Sequence, residues 1–97
     1  MAYEGTVSVY VPVAHSATPD RALAARPSSL TGMRPGILEN RKANARLLME
    51  TMVEALRGRI PLGELTVGSK PTAGPASRAT NEALTKNCDF VLVGSSD

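Results

Sequence analysis

Aromatic residues are scarce: the 97-residue chain has no tryptophan, one phenylalanine and two tyrosines. A core built without them has to be aliphatic and alanine-rich. Cysteine occurs once, as Cys88, which excludes an internal disulfide and any metal site made from several thiolates of this chain. Between Asn87 and Asp89, at the start of an apolar run, Cys88 reads as a small packing residue rather than a reactive thiol. His15 is also solitary, and a metal site needs several convergent ligands, so it reads as a loop histidine. Charge of one sign is lacking as well. A net charge of +2 with scattered Lys and Arg, and no basic run interleaved with aromatics, argues against nucleic acid. No apolar stretch approaches the ~20 residues of a membrane helix, and the N-terminus lacks the order of a signal peptide. The expectation is a cytoplasmic chain with no membrane and no nucleic-acid partner. Neither a Gly-x-Gly-x-x-Gly nor a Walker sequence is present, which argues against a dinucleotide or a nucleoside triphosphate. A chain this short buries a smaller share of its surface than a larger protein, so its stability is expected to be marginal or to depend on a partner.

What is present is an α/β grammar. In TVSVYVPV (6–13), Val7, Val9, Val11 and Val13 recur at period two, the pattern of a strand with one buried face. Pro12 cannot donate to a ladder, which places that strand at an edge or ends it there. Residues 14–31 lack sustained periodicity and read as a surface connection or arm. Next, the run MRPGIL ends in Glu39-Asn40, and a helix of about four turns follows. In it Ala45, Leu48, Met49, Met52, Ala55 and Leu56 form the inner stripe, and Glu50 and Glu54 each stand three or four residues from an arginine. Gly58 stands where a left-handed C-cap is expected and Pro61 prevents continuation. ELTVG (64–68) is a weaker strand. A proline-stiffened loop, SKPTAGPAS, leads to a short helix from about Ser77 to Asn87, with Ser77 as cap and Ala79, Ala83 and Leu84 inward. FVLV then forms a strand apolar on both faces.

This order predicts an α/β fold: a small, open, mostly parallel sheet of about four strands with two main helices, half of a doubly wound Rossmann-like fold completed by a partner. Residues 1–31 form an N-terminal strand and connecting arm, and 32–97 a βαβαβ domain. Two helices cannot easily cover both faces of such a sheet, so either self-association or a second polypeptide is expected to supply the missing layer. The C-terminal strand ends bring together Glu39-Asn40, Ser69-Lys70 and Ser95-Ser96-Asp97, where an open α/β sheet binds ligands.

The ordered pieces Leu30, Gly32, Gly36-Ile37-Leu38-Glu39-Asn40, Arg41-Lys42-Ala43-Asn44, Lys70-Pro71-Thr72 and Cys88-Asp89 through Gly94 to Asp97 resemble the N-terminal half of the UGSC family of selenoproteins and their cysteine counterparts. In that family the tetrad of selenocysteine or cysteine followed by Gly-Ser-Cys begins directly after the aspartate matched here by Asp97. The resemblance implies the small subunit of a two-component, split enzyme that lines an active-site pocket beside a partner-supplied tetrad, or a reading frame closed at a recoded UGA codon. The implied chemistry is thiol-dependent redox or metal-thiolate chemistry on a small-molecule substrate. The cofactor is unknown, the candidate being a soft transition metal held mainly by the partner's cysteines. A helix-start chalcogenolate is stabilised by free amides and the helix dipole. Lys70 and Asp97 are the candidate catalytic residues. Lys70 could fix an anion or stabilise a thiolate, or be a solvated loop lysine. Asn40, Asn44, Lys70, Thr72, Ser95 and Ser96 are the candidate substrate-binding residues. Asn40 also reads as a cap of the first helix, and Glu39 as a weaker acid–base candidate. The competing reading is a structural or regulatory module without chemistry that oligomerises through its exposed sheet face.

Overall fold

In the computed structural model, residues 5–14 and 22–95 are described. Three strands and two helices follow one another: β1 (Pro35–Glu39), α1 (Ala45–Arg57), β2 (Thr66–Ser69), α2 (Arg78–Asn87) and β3 (Phe90–Gly94). The strands form one open parallel sheet in the order β2-β1-β3. The sheet steps from β1 to one side and then across β1 to the other, and right-handed crossovers therefore put the two helices on opposite faces. Side-chain contacts agree. Ile37 of β1 packs with Ala45, Met49 and Val53 of α1, joined by Leu62, Leu65, Val67 and Leu92. Gly36 and Gly68 point the other way, toward Cys88 and toward Thr80 and Leu84 of α2.

Both glycines permit close approach. A Cβ on Gly36 would lie 2.6 Å from Cys88 Sγ and 3.0 Å from Val91 Cγ2, and one on Gly68 would lie 2.8 Å from Thr80 Cγ2. Cys88 is thus the half-buried packing residue at the end of α2, its thiol 3.7 Å from the Pro35 carbonyl oxygen. Ile37 and Val53 are the fully buried aliphatic anchors, each stabilising by roughly 1.5–3 kcal/mol relative to exposure.

The structure corrects several expectations. Among the described residues there are three strands rather than four. Thr6–Val13 pairs with no strand among the described residues, its valines are exposed, and the chain folds tightly at Pro12, where Val13 N–H donates to the Val11 carbonyl at 2.8 Å. Alternation alone does not make a strand without a ladder partner. The α1 stripe is also rotated: Ala45, Met49 and Val53 are buried, whereas Leu48, Met52 and Ala55 are exposed. A strand of four to five residues offers α1 only a narrow seam, so one row of residues four apart suffices. Gly58 is right-handed (φ −68°), not left-handed, because its N–H still reaches the Glu54 carbonyl at 3.1 Å and carries the helix on. On α2, Leu84 is the buried residue while Ala79 and Ala83 remain exposed.

The other local expectations hold. Ser77 Oγ accepts from Thr80 N–H at 3.2 Å. Arg46–Glu50 and Arg57–Glu54 pair along α1 at 2.5 and 3.7 Å. On β3 the α1 face is half-buried, but Val91 and Val93 on the α2 face are 36% and 68% exposed. No helix among the described residues is long and apolar enough to cross a membrane.

Candidate functional site

The parallel register sets Glu39 opposite both Ser69 and Gly94, so the C-terminal ends of all three strands lie side by side. In doubly wound sheets of this order the ligand crevice opens where neighbouring connections diverge, between β1 and β3. Asn40 occupies that crevice. Its N–H donates to the Gly94 carbonyl at 3.0 Å, its Nδ2 donates to the Ser95 carbonyl, and its Oδ1 accepts from Ser95 N–H at 3.1 Å. Asn40 is 7% exposed, so this buried amide is satisfied by acting as a strap across the two strand exits. Its carbonyl in turn accepts from Thr72 Oγ1 at 3.0 Å, which ties the loop after β2 to the same point. Asn40 does not cap α1, since the N-cap position is Asn44.

Beside the strap lies a second knot. The Glu39 carboxylate accepts from Ser69 Oγ and from Arg41 N–H, the latter at 2.5 Å. These hydrogen bonds, with the charges of Arg41 and Arg46, hold its pKa below the ordinary glutamate value against the opposing effect of burial. Glu39 is therefore an anionic acceptor at neutral pH rather than a proton donor. Reaching that geometry requires a left-handed turn, with Arg41 at φ 61° and Asn44 at φ 64°. Asparagine tolerates this region and arginine does so at a cost of order 1–3 kcal/mol. Strain in the loop between a strand end and a helix start is a common accompaniment of ligand sites.

Of the candidates, Asn40, Thr72 and Ser95 are joined by direct hydrogen bonds. Lys70 is next to them through its N–H, which donates to the Glu39 carbonyl at 2.9 Å, while its Nζ donates to the Pro71 carbonyl at 2.8 Å. Asn44 is exposed at the start of α1, and its side chain makes no capping bond. Ser96, Asp97 and His15 lie outside the described residues. The sequence places Glu39 and Ser69 at the same sheet edge but not in a direct hydrogen bond; the signal for that bond is the register of two parallel strands, which composition does not reveal. Among the described residues no group of three His, Cys, Asp or Glu side chains converges. Cys88 sits at the opposite, N-terminal end of β3.

The sequence profile of the UGSC family matches residues 8–97, all but the first seven residues. The chain belongs to the UGSC family. Within this UGSC chain the matched stretch contains every residue of the strap and of the Glu39 knot. Comparison with curated proteins and with solved structures gives no match.

Proposed function

We propose that this UGSC-family chain is the small subunit of a two-component enzyme, in which the strand ends form one wall of a pocket beside a Cys/Sec-Gly-Ser-Cys tetrad delivered by a second subunit. The observation that carries this reading is the Asn40 strap. A buried amide holds the Ser95 backbone in a fixed position in the β1/β3 crevice, two residues before Asp97, after which the resemblance puts the tetrad. A reacting chalcogen held there is positioned by the sheet rather than by a loose loop, as efficient chemistry requires.

In this arrangement Asn40 is a positioning residue. Lys70 supplies a cation at the pocket edge that favours a thiolate or selenolate and attracts an anionic small molecule. Thr72, Ser95 and Ser96 offer hydroxyl or backbone contacts to the substrate, Asn44 offers its amide at the start of α1, and Asp97 orients or accepts a proton. Glu39, already bonded to Ser69 and Arg41, keeps the β1–α1 turn in place. A soft metal does not fit this chain's own donors, because Glu39, Asn40, Ser69, Thr72 and Ser95 offer only oxygen and amide groups and Cys88 lies at the other end of the sheet. A second reading, a binding module without chemistry, is favoured by the exposure of Val91 and Val93 on the α2 face of β3.

The test is co-expression with a Cys-Gly-Ser-Cys-bearing partner, followed by the iodoacetamide alkylation rate of the tetrad's first residue. The expected result is faster alkylation in the complex than in the free partner, and slower alkylation when Lys70→Ala or Asp97→Ala is introduced while the complex mass persists. Equal rates with and without this chain, or a fully active Lys70→Ala, Asp97→Ala double variant, would remove the assignment.

A further inference from the structure

Two unpartnered features of the chain match each other. Thr6–Val11 is an extended, β-branched stretch whose Val7, Val9 and Val11 are 85%, 76% and 69% exposed. The outer edge of β3 has no neighbour among the described residues, since β3 pairs with β1 alone. Above that edge α1 overhangs, and Leu48 and Met52, themselves exposed, form with Leu92, Val93 and Gly94 an apolar groove of about 210 Å³. An uncovered apolar strand edge of this kind invites strand addition.

We infer that the N-terminal arm of a second copy of this chain adds to β3 as a fourth, parallel strand, its valines seated under Leu48 and Met52. The parity of the sheet supports this orientation. On β3 the residues that face α1, Leu92 and Gly94, are those whose backbone groups point to β1, as the Asn40 N–H to Gly94 carbonyl bond shows. A strand placed parallel to β3 on its outer side obeys the same rule, so valines turned toward α1 direct their own N–H and C=O groups at β3. The outward set is then Ser8, Tyr10 and Pro12, and the N–H that Pro12 lacks is one that no ladder bond needs. Other occupants fit less well. The β2 edge also has a groove, about 240 Å³ under α2, but Ala79, Thr80 and Ala83 line it with short side chains where α1 offers the long Leu48 and Met52. The arm stands exposed rather than folded onto its own sheet, which favours exchange between copies, a low-cost route to dimers. The inference does not use the tetrad reading: the arm covers the β3 edge under α1, a groove that reaches Ser95 at its end, and leaves Asn40, Thr72 and the α2 face of β3 open.

The experiment is sedimentation equilibrium of the full chain over a concentration series, with three single variants whose helix content is checked by circular dichroism. The expected mass is twice the 10.2 kDa of one chain. Val9→Pro, which deletes a ladder donor, and Leu48→Glu, which charges the groove, are expected to return the mass to that of one chain, whereas Ser8→Pro on the outward set leaves the dimer intact. A wild-type chain that is monomeric throughout would overturn the inference, including one whose Val7, Val9 and Val11 amides resist hydrogen exchange because the arm pairs in its own copy. So would a dimer equally tolerant of Val9→Pro and Ser8→Pro.

Discussion

Replacing Asn40 by alanine removes both side-chain hydrogen bonds of the strap, Nδ2 to the Ser95 carbonyl and Ser95 N–H to Oδ1, and leaves the backbone bond to Gly94 in place. Each neutral hydrogen bond contributes roughly 0.5–1.5 kcal/mol net, so the pair is worth about 1–3 kcal/mol. Ser95 is half-buried, and water can partly replace the lost partners, which places the expected loss near 2 kcal/mol on the same scale. For a chain of this size that is a fall in Tm of roughly 8–16 °C. Urea unfolding should show the loss as a lower midpoint at unchanged slope, since the area exposed on unfolding hardly changes. Asn40→Asp sharpens the test. Its carboxylate can still accept from Ser95 N–H but turns a negative oxygen toward the Ser95 carbonyl, beside ionised Glu39, so this variant should be weaker at neutral pH than in mild acid, where a protonated carboxyl donates again. Thr72→Ala removes a single, partly buried bond to the Asn40 carbonyl and should cost less, about 0.5–1 kcal/mol. If Asn40→Ala unfolds within about 0.5 kcal/mol of wild type, as an ordinary surface substitution does, the strap does not hold the strand exits.

Ile37→Ala, at the fully buried centre of the α1 face, should lower stability by about 2–5 kcal/mol in the same urea assay. Gly36→Ala should cost about 1–3 kcal/mol by driving a methyl into Cys88 and Val91, and adding Cys88→Ala should recover part of it; Gly68→Ala should be milder, because Thr80 Cγ2 alone lies closer than 3.4 Å to the added methyl, against three such atoms at Gly36. The Glu39 pKa is lower in the folded chain than in the unfolded one, so its contribution is fully present above the ordinary glutamate range and is lost as pH falls through the folded value. Glu39→Gln should flatten that part of the stability-against-pH curve, and Ser69→Ala should shift it toward the ordinary glutamate range. Asp89, lowered by the Arg34 guanidinium and backbone N–H, follows the same sign, so Asp89→Asn should flatten a separate acid limb.

The order of strand, helix, strand, helix, strand was legible because each element carries its own signal: the apolar runs of β1 and β3, the 3.6-residue period of α1, the Ser77 cap of α2. The convergence of Asn40, Lys70 and Ser95 at one sheet edge followed from parallel topology alone, whereas the bond that brings Thr72 to Asn40 did not. What the sequence did not reveal depends on partners in space. The valine alternation of Thr6–Val13 states a preference for a pleated surface without saying whether a neighbouring strand exists. Leu48 and Met52 read as core because an amphipathic period cannot tell the seam of a sheet from the groove beside it. Asn40 looked like a helix cap because propensity sees the next helix and not Ser95, fifty-five residues away, and Glu39 looked like an acid until its register set it against Ser69.

The most direct test of the pocket is an amide NMR titration of the isotope-labelled chain with an unlabelled Cys-Gly-Ser-Cys-bearing polypeptide. The account predicts saturable shifts concentrated at Asn40, Lys70, Thr72 and Ser95, with Cys88 and the N-terminal ends of the strands unmoved. Absence of binding, or shifts confined to the Cys88 end of the sheet, would contradict it.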